Sequence, residues 1–324
     1  MMDLLLIIPH ELLTIILNLV DVSSIFSLSQ TARKFIHHKT IRFFVSDFGM
    51  KIIRLNAISK NHVNLFKWLI RKEEVEYLDK TCYVERSIEN DCLEIVKYLR
   101  ENRCYWNQYL YENAAIGHGR IEILKYLRHL KRDSWYANSC SRAAENGQID
   151  MLKYLHENGC QWNVDTSFSA ARYGQLETLK YLHEKGCPWD EDASYVAAEN
   201  GHLETLKYLN ENGCYWNEWT YNRAAKYDHL DVLKYLHENG CPWDSSAYEY
   251  ASQNNHLDVL KYLHENGCPW DDDACTAAAR EGHLEILKYL HENGCRLSKQ
   301  VYALATRNGY LDILKYLHEN ECPM

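Results

Sequence analysis

The sequence predicts an all-α chain: a solenoid of about ten stacked helix–turn–helix repeats, preceded by a small three-helix module. Three observations predict it. The first is a period. The tetrad Leu-Lys-Tyr-Leu stands at 124–127, 152–155, 179–182, 206–209, 233–236, 260–263, 287–290 and 314–317, with looser copies at 96–99 and 66–69. Its lysines, from Lys67 to Lys315, are separated by 30, 28, 28 and then six times by 27 residues. A fixed period of this size marks one supersecondary unit stacked on itself. The second is an apolar stripe: Leu203, Leu206 and Leu209 recur every three residues, as on one face of a helix. The third is the residue between the two helices of a unit. Its ten copies are Asn61, Asp91, Gly119, Gly147, Gly174, Gly201, Asp228, Asn255, Gly282 and Gly309, the residue types that accept a positive φ with little strain.

The elements of a unit follow in order. The second helix carries the stripe, and Glu204, Lys207 and Glu211 occupy its solvated side at i,i+3 and i,i+4 spacing. Gly213 is placed to end it in a left-handed cap, with a proline shortly after in Cys187-Pro188, Cys241-Pro242 and Cys268-Pro269. A Trp follows, then Asp190, Asn217, Asp244 or Asp271, each suited to the N-cap of a new helix. That first helix is short and Ala-rich (Ala197-Ala198, Ala224-Ala225, Ala278-Ala279), which lets neighbouring helices approach closely. One such hairpin cannot bury its apolar side alone, so stability comes from stacking.

Along the chain, residues 1–45 do not fit the repeat and residues 46–324 do. In the first part Pro9 suits a helix N1 position, and Leu12, Leu13, Ile16, Leu17 and Leu19 give a helix with more apolar surface than one neighbour covers. Asp21 and Ser23 or Ser24 mark a turn and a new cap, and Ile25, Leu28 and Phe35 suggest two further short helices. Excess apolar surface of this kind suggests a docking module. A degraded first unit follows, with helices expected near 51–59 and 63–70. Ile116-Gly117-His118 reads as an extra residue in the third turn, and Trp135 sits one place late. The last unit carries Arg296, Leu297, Tyr310 and Glu321 where Pro, Trp, His and Gly are usual. With no polar capping helix, its end is expected to fray or to be covered by a partner.

Two stretches resemble known families. Ala-Ala-Glu-Asn-Gly-His-Leu-Glu at 197–204, followed by an amphipathic helix and Gly213, resembles the ankyrin repeat over roughly residues 50–324. The Thr-Pro-Leu-His start of that repeat is missing, and the period falls short of the ankyrin period of about 33 residues, so the resemblance implies fingers truncated to a tight loop carrying the Trp. The short form with Trp and Cys looks like the ankyrin proteins of giant DNA viruses of amoebae. Ile8-Pro9-His10-Glu11-Leu12-Leu13, then Ile16-Leu17-Asn18-Leu19-Val20, Asp21, and Leu28 through Arg33-Lys34-Phe35 resemble an F-box, with Ile8 where Leu is usual. That family implies docking on the Skp-type linker of a cullin–RING ubiquitin ligase, with Pro9, Leu12, Leu13, Ile16 and Leu17 in the contact. The alternative is that this segment is a hydrophobic cap closing the first repeat.

Composition narrows the function. With 45 acidic and 36 basic residues the net charge is −9, which speaks against nucleic acid as a partner. The apolar N-terminal stretch is broken by Pro9, His10 and Glu11 and has no basic lead or small-residue cleavage site, so neither a membrane span nor a signal peptide is expected. Of twelve cysteines, eight share one repeat position (Cys104, Cys160, Cys187, Cys214, Cys241, Cys268, Cys295, Cys322). Equivalent positions of stacked helical units lie about 8–10 Å apart, beyond the roughly 7 Å a disulfide spans. Free thiols and a cytoplasmic location, host cytoplasm if the chain is viral, are therefore expected.

The repeated side chains admit chemical readings that their register disfavours. The ladder Trp106, Trp162, Trp189, Trp216, Trp243 and Trp270 could stack bases or peptides, but its fixed place after each second helix favours packing. His-Glu-Asn-Gly-Cys at 156–160, 237–241, 264–268 and 291–295 places His and Cys at a zinc-like spacing, yet a helix end and a Gly turn separate each pair. Helix-terminal carbonyls and the dipole account for these histidines, and His202, His229, His256 and His283 read as hydrogen-bonding spacers in the turns. No nucleophile–base pair or phosphate loop breaks the period, so no enzyme, no metal and no cofactor is expected. What varies on the constant frame is the pair before each turn (Arg172-Tyr173, Glu199-Asn200, Lys226-Tyr227, Gln253-Asn254, Arg280-Glu281) and the loop after each Trp (Trp219, Asp272, Asp273). Those thirteen residues are the candidate contacts with a protein target, with Trp219, Tyr173 and Tyr227 as anchors; neutral variation on a solvated face is the alternative. The expectation is a monomeric, non-enzymatic interaction protein, either an adaptor joining a target to the ligase or a scaffold without ligase recruitment.

Overall fold

Helices joined by short turns make up the fold, with no strand among the described residues. The computed structural model describes residues 54–70, 81–102, 104, 106–129 and 134–322. The boundary expected at residue 45 and the candidate linker residues Pro9, Leu12, Leu13, Ile16 and Leu17 lie outside the described residues. By its internal contacts the chain divides into two units, Met1–Tyr105 and Trp106–Met324.

In the first unit residues 54–59 are helical, followed by α1 (Val63–Leu69), α2 (Thr81–Glu89) and α3 (Leu93–Glu101). The second unit holds eight helix pairs: α4 (Gln108–Gly117) with α5 (Ile121–His129), α6 (Ser139–Glu145) with α7 (Ile149–Glu157), α8 (Val164–Arg172) with α9 (Leu176–Glu184), and α10 (Glu191–Glu199) with α11 (Leu203–Glu211). Then come α12 (Glu218–Lys226) with α13 (Leu230–Glu238), α14 (Ser246–Gln253) with α15 (Leu257–Glu265), α16 (Asp273–Glu281) with α17 (Leu284–Glu292), and α18 (Lys299–Asn308) with α19 (Leu311–Glu319).

The expected stripe is the core. Leu206 and Leu209 on α11 are fully buried, as are Leu233 and Leu236 on α13, each burial stabilising by about 2–3 kcal/mol. On the first helices Ala197, Ala198, Ala224 and Ala225 are fully buried. Within the second unit their small side chains let neighbouring first helices pack on one another more closely than the second helices do. Second helices end as the glycine predicts: Cys214 N donates to Leu209 O at 2.9 Å and Gly213 N to Asn210 O at 3.0 Å, with Gly213 at φ 80°, a Schellman cap. First helices start from side-chain caps; Asn217 Oδ1 accepts from Trp219 N at 3.0 Å.

The turn between paired helices is left-handed in all ten copies, from Asn61 at φ 52° to Gly282 at φ 84°. Gly201 shows a second reason for a small residue there. A Cβ on it would lie 2.6 Å from Nδ1 of His229 in the next repeat, whose Nε2 donates to Glu199 O at 3.0 Å. Gly201→Val is therefore expected to destabilise by about 2–3 kcal/mol, combining left-handed strain with loss of that hydrogen bond. Gly201→Asn should cost about 1 kcal/mol, because Asp228 and Asn255 hold the same conformation in later repeats while the adjoining His256 and His283 keep their bonds to Lys226 O and Gln253 O. Chemical unfolding of both variants checks the order. The extra residue expected at Ile116–His118 is not there. Arg120 N donates to Ala115 O and Gly119 N to Ile116 O, as Gln148 does to Ala143 and Gly147 to Ala144. The small pair is Ala115-Ile116 in place of two alanines, and the turn has its ordinary length.

The cysteines correct one expectation. Cys275 on α16 and Cys295 after α17 are joined by a disulfide, with Cα atoms 6.6 Å apart. The distance between equivalent positions in successive repeats was the wrong one to consider, because the partner lies within the same repeat. That inner position, twenty residues before the repeat cysteine, is held by Cys140, Ser167, Ser194, Tyr221, Tyr248 and Cys275. Cys140 Sγ lies 2.7 Å from Cys160 Sγ, Ser167 Oγ 3.2 Å from Cys187 Sγ, and Ser194 Oγ 3.1 Å from Cys214 Sγ. The hydrogen bond to Cys160, together with burial, pushes the Cys140 thiol well above its ordinary range.

Candidate protein-binding surface

The surface is built from the C-terminal ends of the first helices in the second unit. Each is tied to the next repeat by one hydrogen bond from the turn. His202 Nε2 donates to Arg172 O, His229 to Glu199 O, His256 to Lys226 O and His283 to Gln253 O, all at 2.8–3.0 Å. Asn308 Nδ2 donates to Arg280 O at 2.9 Å. The turn histidines are thus the spacers expected of them, and together with Asn308 they hold Arg172, Glu199, Lys226, Gln253 and Arg280 in one row along the stack. Their backbones are fixed while their side chains project.

The thirteen candidates do not form one patch. Arg172, Tyr173, Glu199, Asn200, Lys226, Tyr227, Gln253, Asn254, Arg280 and Glu281 share the row. Trp219, Asp272 and Asp273 stand at the opposite, N-terminal ends of first helices, about 13 Å away for a helix of this length. Tyr173, Tyr227 and Trp219 are 49%, 43% and 51% exposed, as anchors for a partner would be. Asn200 and Asn254 are occupied, since their amides donate to Val196 O and Tyr250 O at 2.9 and 2.8 Å. Asp272 Oδ1 accepts from Arg296 N at 3.3 Å and so supports the following loop.

The row also contains residues the sequence did not single out. Arg223 Nη1 lies 3.6 Å from Glu199 Oε2, and its guanidinium sits over the Tyr195 ring at 5.1 Å. Lys226 Nζ lies 5.3 Å from the centre of the Tyr227 ring and 6.0 Å from that of Tyr250. Burial, with Glu199 close by, pushes the Tyr195 hydroxyl above its ordinary range. The result is an alternation of cations and aromatic rings on fixed helix ends, a surface suited to recognition and without a nucleophile–base arrangement.

The Trp ladder lies elsewhere. Its rings are half-buried. Trp162 and Trp189 are packed between a His of their own repeat and a Tyr of the next, whereas Trp216 follows Asn210 and meets Tyr235, and Trp243 and Trp270 meet Tyr221 and Tyr248. Trp162 stacks on His156 at 3.6 Å and meets Tyr181 edge-on at 6.3 Å, and Trp189 sits similarly between His183 and Tyr208. The same His bonds onward, His183 Nδ1 lying 2.9 Å from the Tyr208 hydroxyl. Stacking on Trp and pairing with Tyr account for these histidines, where helix-end carbonyls had been expected to. Cys241 is turned away from its His, with its thiol 3.4 Å from Asn217 O while His237 stacks on Trp243 at 4.2 Å. Among the described residues no three His, Cys, Asp or Glu side chains converge to hold a metal ion. No described helix is long and apolar enough to cross a membrane.

No curated protein matches the chain in sequence. The family model described as ankyrin repeats (3 copies) matches residues 167–247 and again residues 248–323. Across these two stretches, which include the whole row from Arg172 to Arg280, the chain carries ankyrin repeats.

Proposed function

We propose that this protein is a cytoplasmic interaction adaptor that performs no chemistry. The repeats bind a protein target along the first-helix row, and the N-terminal segment docks on the Skp-type linker of a cullin–RING ubiquitin ligase. Ankyrin repeat proteins are typically non-enzymatic interaction scaffolds. The observation that carries the target-binding half is a constant frame with changing side chains, exposed at Arg172 and Arg280 and half-buried at Glu199, Lys226 and Gln253. The turn hydrogen bond recurs from repeat to repeat, while the residue it anchors changes from Arg172 to Glu199, Lys226, Gln253 and Arg280. Ligase recruitment is supported by Ile8-Pro9-His10-Glu11-Leu12-Leu13 and the residues that follow it. Activity would then arise from proximity, by bringing the target to the ligase.

Pull-down with purified Skp-type linker tests the recruiting half. Wild type is expected to retain the linker, and Pro9→Ala/Leu12→Asp to lose at least tenfold of it, about 1.4 kcal/mol of binding free energy. Equal recovery from both, or none from either, would leave a repeat scaffold whose N-terminal segment serves as a hydrophobic cap.

A further inference from the structure

The charged groups of the second unit are arranged in two different ways. On four of the second helices Lys180, Lys207, Lys261 and Lys288 each lie 2.7–3.4 Å from the acid three residues before them, so those cations are neutralised within their own helices. On the first-helix row Arg223 is paired with Glu199. Arg172, Lys226 and Arg280 have no carboxylate within 4.0 Å among the described residues. They occupy alternate repeats, and Tyr173 and Tyr227 stand exposed beside the first two. Arg307 holds the same place in the repeat after Arg280 and likewise has no carboxylate within 4.0 Å among the described residues. A chain of net charge −9 thus keeps a spaced row of unneutralised cations flanked by aromatic rings.

We infer that the row receives an extended acidic segment of the partner, running along the stack, with a carboxylate opposite each of Arg172, Lys226 and Arg280 and apolar side chains against Tyr173 and Tyr227. This rests on the reading of the array as a protein-binding surface and names the chemistry of what it binds. Stacked helices repeat about every 8–10 Å, so cations in alternate repeats lie roughly 16–20 Å apart. An extended chain rises about 3.3 Å per residue, so the matching acids are spaced by about five to six residues, of which six keeps them on one face of the strand. Between Arg172 and Lys226 the intervening repeat offers Glu199 already paired with Arg223, so no free cation stands in the middle of that interval. The spacing also favours peptide over nucleic acid. A nucleic-acid strand carries a phosphate at every nucleotide, far denser than the cations of this row, so most of its phosphates would find no partner.

The test uses the full-length protein and a fluorescein-labelled peptide of about 16 residues bearing three Glu/Phe pairs, each with one Ser between its members so that both face the row, about six residues apart in a Ser/Gly background. Anisotropy is expected to show binding at least tenfold tighter than to the same peptide with Lys for Glu, or with its three pairs adjacent. Affinity should fall as salt rises. Arg172→Glu/Lys226→Glu/Arg280→Glu, confirmed as folded by circular dichroism, is expected to weaken binding at least tenfold. Equal affinity for the Glu and Lys peptides, no binding by wild type, indifference to the triple substitution, or tighter binding of a single-stranded RNA of similar length would each overturn the inference. Equal affinity for the spaced and adjacent forms would overturn its register. A target protein that binds wild type and the triple variant alike would leave the protein-binding reading standing and remove this one.

Discussion

Arg128→Ala is expected to lower stability by about 3–5 kcal/mol and the melting temperature by on the order of 10 °C. Glu112 on α4 is fully buried, and its Oε2 lies 3.2 Å from Nη1 of Arg128 on α5. Gln108 Nε2 donates to the other carboxylate oxygen and also to Leu127 O at 3.0 Å. The guanidinium is further held over the Trp135 ring at 3.8 Å. Removing the arginine would strand a carboxylate in the interior and lose the ring contact as well. Removing the acid is milder, because Arg128 keeps some access to solvent and its Trp135 platform. Another repeat shows how the site looks without the ion pair: Ser167 stands in the position of Glu112, and His183 of that same repeat in that of Arg128. Glu112→Ser/Arg128→His is therefore expected to recover more than half of what Arg128→Ala loses. Urea unfolding of the three variants decides it. If Arg128→Ala unfolds within about 1 kcal/mol of wild type, the pair is a surface ion pair and the account of this interior fails.

How much could be read beforehand depended on whether a feature repeats. The tetrad fixed the second helices closely: α11 runs from Leu203 to Glu211, where the stripe places it. The turn was legible from residue type alone, since only Gly, Asn and Asp hold it and all ten copies are left-handed. The site was half legible. Varying pairs before the turns pointed to Arg172, Lys226 and Arg280, but Tyr195, Arg223 and Tyr250 were hidden in first helices read only as packing. A signal was present. Ala170, Ala197, Ala224, Ala251, Ala278 and Ala305 are constant at one register, while the residue just before runs Ser169, Val196, Arg223, Tyr250, Ala277 and Leu304. That variation marks a position next to the core and facing the row. The thiol partnerships were not legible, because a period compares a residue with its copies, whereas Cys275 and Cys295 meet across the helices of one repeat. The roles of the Trp and His ladders were hidden for a related reason. Trp189, His183 and Tyr208 come from two repeats and three elements, and nothing in the spacing shows which ring faces which.

Alkaline pH is expected to destabilise the array through its buried thiols, by about 2 kcal/mol each for Cys241 and Cys268 at pH 10.5. Burial pushes both thiols up from an ordinary value of 9.0 to about 12. They are 5% and 3% exposed, and they donate to Asn217 O at 3.4 Å and Asp244 O at 3.5 Å, bonds that a thiolate could not make. The folded value lies above the unfolded one, so this contribution is complete below about pH 9 and disappears as pH climbs toward 12. In that window the unfolded chain gives up the proton and the folded chain keeps it, which favours unfolding. Tyr221 and Tyr248, pushed up chiefly by burial, act in the same direction. Comparison with Cys241→Ala/Cys268→Ala isolates the thiols, because the tyrosines are common to both proteins. The variant should start less stable at pH 7.5, from the small cavities it creates. The difference should then narrow by about 4 kcal/mol between pH 8 and 10.5 in the presence of reductant. Parallel stability curves would mean that these thiols ionise equally in the folded and unfolded chains, and that the repeat cysteine does not reside in a dry interior.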